Sequence, residues 1–168
     1  MTITLREFDE LPESEVPNTV SEFDDWGVEP AELTKPTGLR RWVIETPDQI
    51  IGVMSAHPVS YGPNQESVAM NIGIALGEQF RGQGLGATAQ AMLAQLLHDE
   101  GIVRVEASTD PTNIAEQRAL AKAGFEYEGT LRGAQVRASG RHDLQVWASL
   151  LRPRDASLSE RHFPDFSR

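Results

Sequence analysis

Residues 78–90 read "EQFRGQGLGATAQ". Gly82, Gly84 and Gly86 fall on alternate positions after Arg81 and lead into an apolar-periodic run that starts at Leu85. Glycines placed this way leave backbone N–H groups uncovered, and a helix start adds more of them with a partial positive charge. The backbone of Gly82, Gln83, Gly84, Leu85, Gly86 and Ala87 is therefore a candidate phosphate cradle, with Arg81 beside it. A nucleoside-triphosphate loop would need lysine followed by Ser or Thr after its glycines, and none is present. A dinucleotide is a stronger contender, because Gly82 to Ala87 satisfies G-x-G-x-x-G/A and Glu106 stands 24 positions beyond Gly82, where a ribose ligand is expected. That alternative would make the chain an NAD(P)-binding oxidoreductase. Against it, "GEQFR" separates the preceding apolar run from the first glycine, and several strands precede the unit. Coenzyme A is the third phosphate-bearing ligand that such a loop suits.

The elements that must position this loop follow from periodicity. Thr2 to Arg6 alternates and reads as a short edge strand; four prolines (Pro12, Pro17, Pro30, Pro36) restrict residues 7–38 to short, interrupted helices. "LRRWVIET" (39–46) and "QIIGVMSAHPVS" (49–60) predict a hairpin, and "SVAMNIGIAL" (67–76) a third strand after turn residues 61–65. From Leu85 the period becomes helical until Gly101. "IVRVEAS" (102–108) predicts a strand and residues 113–123 a second helix ending in "AGF". Two antiparallel strands then close the chain. The expected fold is α/β, with a mixed sheet and helices on both faces. Residues 1–152 are expected to form one domain and 153–168 a polar tail.

Composition narrows the partners. The net charge is −10, and residues 1–35 carry ten acids against Arg6 and Lys35, which leaves −2 for the remaining 133 residues. An acidic segment of this kind is either a solvated solubility face or a rim that attracts cationic substrates. Its field opposes phosphate backbones, so nucleic-acid binding is not expected. The absence of cysteine removes thiolate nucleophiles, disulfides and thiolate metal sites, and with no membrane-length apolar run the expected compartment is the cytoplasm. His57, His98 and His142 lack metal-like spacing and are expected in surface or edge roles. A monomer or a homodimer is expected.

Two further stretches go with the glycine loop. "NIAEQRALAKAGFEYEGTLR" (113–132) places Asn at a helix start, then "AL", "GF" and an EG-x-L-R run, and "SGRHDLQVWASLL" (139–151) places Gly140 and Asp143 before an alternating apolar strand. Together with Arg81-x-x-Gly84-x-Gly86 they resemble the GNAT N-acetyltransferase superfamily, in the branch typified by ribosomal-protein N-terminal acetyltransferases. The resemblance covers about residues 39–152. It implies a mostly antiparallel sheet with a splayed central strand pair, acetyl-CoA as cofactor, and direct acetyl transfer to a primary amine. By the same resemblance, Ile74, Ala75 and Leu76 offer backbone groups to the pantetheine arm and Asn113 contacts that arm near the thioester. Asn113-x-x-Glu116 is also a helix-capping pattern in its own right.

The reacting groups depart from the family pattern. Asn71 stands where this branch often carries glutamate, Leu120 replaces the frequent tyrosine acid, and Glu116 replaces a serine found in some members. Asn113, Glu106 and Asn71 mark the expected reaction centre, with Glu106 the candidate base acting through water. Asp24, Asp25, Trp26 and His57 are candidates for the acceptor wall, and His57, Asp24 and Asp25 could also serve as bases if they fold over the cleft. Deprotonating a lysine-like amine at pH 7 costs roughly 4–5 kcal/mol, whereas a peptide α-amine costs about 1 kcal/mol. A chain without a strong base favours the second kind of acceptor. A non-catalytic acyl-CoA-binding regulatory protein would share the same cofactor motif.

Overall fold

The computed structural model describes residues 1–12, 15–29 and 33–151; Glu13, Pro30 and Glu32 of the acidic segment, and the tail from Arg152, lie outside the described residues. The predicted strands and helices form in the predicted order. β1 (Thr4–Glu7), β2 (Arg40–Glu45), β3 (Ile50–Ser60) and β4 (Val68–Leu76) precede helix α1 (Leu85–Asp99). β5 (Arg104–Thr109), helix α2 (Ile114–Lys122), β6 (Glu126–Arg137) and β7 (Gly140–Leu150) complete the domain. One-turn 3-10 helices at Glu22–Asp24, Gln65–Ser67 and Glu78–Phe80 fill the connections. Among the described residues, no helix is long and apolar enough to cross a membrane.

The strands make one seven-stranded sheet in the order β1-β2-β3-β4-β5-β7-β6. Every neighbouring pair is antiparallel except β4 with β5, which is parallel and lasts only from Met70↔Val105 to Ile72↔Ala107. Beyond Ile72, β4 continues to Leu76 against β3 alone, while β5 continues to Thr109 against β7. The two central strands therefore part, and Gly73–Leu76 keep one edge without a ladder partner.

Strand alternation assigns the faces. Met70, Ile72, Val105 and Ala107 join Trp42, Ile44 and Met54 in one buried cluster. Leu85, Leu93 and Leu97 of α1 and Leu120 of α2 pack into the same cluster, so both α-helices share this side of the core. The one-turn helix Glu22–Asp24 sits elsewhere, against the β6–β7 hairpin. There the Ala138 N–H donates to the Asp25 carbonyl at 3.0 Å, and the Arg137 guanidinium lies 5.7 Å from the Phe23 ring centroid.

Polar ties fix the periphery. Arg40 bridges Glu7 and Glu100 at 2.7 and 2.6 Å, linking β1, β2 and the end of α1. Contrary to the expected surface role, His98 is buried; its Nδ1 lies 2.8 Å from the Ile102 carbonyl and its Nε2 3.1 Å from Ser149 Oγ. Its helical position is apolar in register, and the ring is accommodated because both nitrogens find partners. Asp143 accepts from the Gly133 N–H at 2.7 Å, holding the irregular stretch of β6.

α2 is held down by a single buried side chain, Leu120, with 0% exposure, followed by Gly124 (φ 91°) as helix stop and by buried Phe125. Truncating Leu120 removes the transfer energy of its methyl groups and leaves a cavity. Leu120→Ala is expected to lower stability by roughly 2–4 kcal/mol in urea unfolding. A loss below about 1 kcal/mol would show that α2 is not anchored this way.

Candidate active site

The glycine loop lies between the one-turn helix Glu78–Phe80 and α1. Gly84 is the residue before α1 and adopts the left-handed region (φ 79°, ψ −1°), as does Gly82 (φ 73°). The first helical bond of α1 runs from the Thr88 N–H to the Gly84 carbonyl at 3.2 Å. Six successive N–H groups, Gly82 to Ala87, consequently meet no acceptor among the described residues. Gly84 has no side chain to cap the helix, so these donors converge in front of a helix N-terminus. Lys122, at the end of α2, adds a positive charge: its Nζ lies 3.3 Å from where a Cβ on Gly84 would stand.

Gly86 has an ordinary helical backbone and faces the open stretch of β4. A Cβ there would meet Leu76 Cδ1 at 3.5 Å and Ile74 Cδ1 at 3.8 Å. The donors of the loop therefore lie beside the stretch of β4, Gly73 to Leu76, that has no ladder partner on one edge. The pattern fits a ligand with a pyrophosphate at one end and an extended amide-bearing arm; a dinucleotide shares the pyrophosphate, and the arm is the feature that distinguishes coenzyme A. The dinucleotide alternative also loses its ribose ligand, because Glu106 is buried and engaged elsewhere.

Arg81 sits beside the loop, but its side chain is committed to carbonyl oxygens. Nε donates to Leu76 at 3.0 Å, and an Nη donates to Thr19 at 2.9 Å and Val20 at 3.1 Å. A Cβ on Gly77 would lie 3.1 Å from Pro17. The segment from Pro17 to Asp25 therefore starts at the end of β4 and reaches the β6–β7 turn, bridging the strand ends where β4 and β5 separate. Asp24 and Asp25 on it are exposed and Trp26 is half-buried, outside the core cluster. Asp24 accepts from the Ser21 hydroxyl at 2.7 Å, and Asp25 from the Gly27 N–H at 3.3 Å.

On the sheet face away from α1, register aligns His57, Asn71 and Glu106 across β3, β4 and β5, one pair before the strands part. Glu106 is 3% exposed; the Tyr61 hydroxyl lies 3.0 and 2.9 Å from its two oxygens, and Arg104 Nε donates to it at 3.0 Å. Arg104 also bridges Glu128 at 2.6 Å. Burial and the Glu106 carboxylate push the Tyr61 hydroxyl above its usual pKa, while Arg104 holds Glu128 below the usual carboxylate range. Burial lowers His57 below its ordinary value, opposed by the charge of Glu106.

Two further groups of buried polar residues lie at α2 and at the end of β5, and sequence reasoning did not find their roles. Asn113 caps α2 as expected, accepting from the Glu116 N–H at 3.1 Å. Glu116 does not complete the capping box. It turns to α1, where Gln90 Nε2 donates to it at 2.8 Å, and Gln90 Oε1 is buried without a partner among the described residues. Burial raises the Glu116 pKa to about 7, offset only in part by Gln90. At the end of β5, Asp110 is buried and pairs with Arg137 at 2.8 Å; His142 Nδ1 lies 3.4 Å away. Burial alone would raise the Asp110 pKa, but the Thr112 hydroxyl and N–H, together with Arg137, hold it low. The sequence signal for Gln90 was a polar residue on an apolar helix stripe. Asp110 stood in a turn motif that gave no hint of a partner 27 residues away.

The chain is similar to known acetyltransferases. Residues 4–126 match the family described as "Acetyltransferase (GNAT) domain". A rat (Rattus norvegicus) protein, N-acetyltransferase 8B, is 27% identical over 103 residues, covering 59% of this chain and 46% of that protein. Among solved structures, Mycobacterium smegmatis RimJ in complex with CoA-disulfide is 25% identical with a TM-score of 0.58, over 67% of this chain and 53% of the other. The microcin self-immunity acetyltransferase MccE, in complex with acetyl-CoA and AMP, has a TM-score of 0.60 at 23% identity, over 68% and 62% of the two chains. The matched region thus spans about half of the rat protein and less than two thirds of either solved chain.

The Glu116 environment makes stability depend on pH. The folded chain keeps the proton up to about pH 7, whereas the unfolded chain releases it near 4.5. Folded protein therefore binds more protons between these values, and this contribution to stability falls as pH rises through that window. Glu116→Gln is expected to be more stable than wild type at pH 8 by on the order of 1–3 kcal/mol, and to lose that advantage at pH 4. Urea unfolding at the two pH values checks it; an equal difference at both would mean the carboxyl is not protonated by burial.

Proposed function

The chain belongs to the acetyltransferase (GNAT) domain family, and from that premise we propose that it is an acetyl-CoA-dependent N-acetyltransferase acting by direct transfer on a primary amine. The observation that carries this reading is the run of unpartnered N–H groups from Gly82 to Ala87 opening onto the unpaired edge of β4. Acetyl-CoA, when bound, supplies an activated thioester. The chain's own residues divide the remaining work. The loop donors and Lys122 would hold the pyrophosphate, and Gly73–Leu76 would pair with the arm as a further strand does. Asn113, fixed at the start of α2, would meet the arm deeper in the cleft.

The acceptor side belongs to the opposite face. There the segment from Pro17 to Asp25, the row His57–Asn71–Glu106 and the β6–β7 turn surround the strand ends. The exposed carboxylates of Asp24 and Asp25 favour a cationic amine by attraction. Asn71 cannot take a proton, and Glu106 is held by Arg104 and Tyr61, so an acceptor of low pKa such as a peptide α-amine fits best. Cytoplasmic location, and action as a monomer or homodimer without nucleic acid, are part of the same proposal.

Calorimetry with acetyl-CoA, with NADH and NADPH as controls, tests the reading. Micromolar binding of acetyl-CoA alone is expected, with thiol release once a suitable amine is added. Binding of a dinucleotide in its place would overturn it, and binding without turnover on any amine would mark an acyl-CoA sensor. Gly86 offers the cleaner variant, because its backbone does not require glycine. Gly86→Glu is expected to weaken acetyl-CoA binding by about 100-fold or more through charge repulsion and filled space, with Gly86→Ala closer to wild type. Unchanged affinity in Gly86→Glu would contradict the assignment of the loop.

A further inference from the structure

The reaction just proposed requires a group that takes a proton from the incoming ammonium, and the residues inherited by position do not provide one. Asn71 has no proton affinity at neutral pH. Glu106, beside it on β5, has both oxygens engaged by Tyr61 and one also by Arg104, whose guanidinium reaches on to Glu128. The third member of the row is different. His57 pairs with Asn71 in the β3–β4 register, as Asn71 pairs with Glu106 across β4–β5. It is half-buried, and neither ring nitrogen has a hydrogen-bond partner among the described residues.

We propose that His57 takes the proton from the acceptor amine, with Glu106, facing it across Asn71, as the positioning charge. This rests on the acetyltransferase reading above. The ammonium proton moves to the free ring nitrogen, and the released lone pair forms the new C–N bond to the acetyl carbon. The C–S bond breaks with its electron pair leaving on sulfur, and the thiolate takes up, by way of solvent, the second proton that the nitrogen sheds as the neutral amide forms. His57 returns its proton to water, so no oxidant or further reactant is needed.

The surroundings suit this task. Burial keeps the ring neutral near pH 7, and the Glu106 carboxylate prevents its basicity from falling further. Other charged groups on this face include Arg104 on β5, engaged with Glu106 and Glu128; Glu126 on β6, in register with Ala148; Arg41 on β2, which donates to the Asp9 carbonyl and stacks on Phe8; and the Arg6–Glu45 pair of β1 and β2. Tyr61, at the end of β3, stays protonated. A neutral imidazole can deprotonate an α-ammonium at small cost and a lysine ammonium only at large cost. The acceptor class therefore narrows to α-amines and other weakly basic amines.

Three measurements on the full chain test the assignment: calorimetric affinity for acetyl-CoA, NMR titration of the His57 ring, and the pH profile of kcat/KM with an alanine-initiated tripeptide amide. His57→Gln should leave acetyl-CoA affinity within about 3-fold while lowering kcat by about 100-fold or more, and the acid limb of the profile should disappear. His57→Asn, a smaller replacement, should give the same loss. In wild type the limb should coincide with the ring titration, and Glu106→Gln should move both to lower pH together. A His57→Gln enzyme within about 3-fold of wild-type rate, or an acid limb that survives it, would overturn the assignment while leaving the cofactor reading intact. Wild-type protein that fails to bind acetyl-CoA would instead strike the acetyltransferase reading itself.

Discussion

The parallel pairing of β4 with β5 lasts for three residue pairs and then ends, although both strands continue. Strand backbone left unpaired inside a domain is unfavourable unless something else meets its hydrogen-bonding groups. Here the unpaired edge runs directly to a helix start whose N–H groups are also unpartnered. Each of these features alone would be an ordinary irregularity. Side by side they suit the proposed ligand, which has a charged end and an amide arm.

The rest of the fold keeps that separation open. β5 stays with β7 beyond the point of parting, and the buried Asp110–Arg137 pair ties the end of β5 to β6. On the other side, Arg81 fastens the end of β4 to the carbonyls of Thr19 and Val20. The segment from Pro17 to Asp25 is thereby held at both ends. A charged pair as buried as Asp110–Arg137 gains little net stability over apolar packing, but losing one partner would strand the other. Its value is in fixing position, which is what a cleft between two diverging strands needs.

What the sequence made legible follows the range of the interactions involved. The helix from Leu85, the Asn113 cap and the stop at Gly124 depend on residues a few positions apart, and all three stand as read. The glycine loop was legible for the same reason, since its shape comes from its own backbone. Arg81 was less so: its neighbours in sequence suggest a phosphate, while two of its three carbonyl partners lie 61 and 62 residues away. Glu116 offered a local capping partner and chose Gln90 on another helix. His98 looked like a surface residue until Ile102 and Ser149 were brought to its two nitrogens. Glu106, the candidate base acting through water, lies inside an ion-pair network. In each case tertiary contacts overrode a sound local expectation, and the acceptor side depends on such contacts more than the loop does.

The central claim is that the unpartnered N–H groups of Gly82–Ala87 and the open edge of β4 form a single binding groove. Amide chemical shifts, followed by two-dimensional NMR as coenzyme A is added, report on both stretches at once. Joint, saturable shifts at Gly82–Ala87 and Gly73–Leu76, with one dissociation constant, are the predicted result. Shifts confined to the loop would reduce it to a simple anion site, and no response at either stretch would contradict the account.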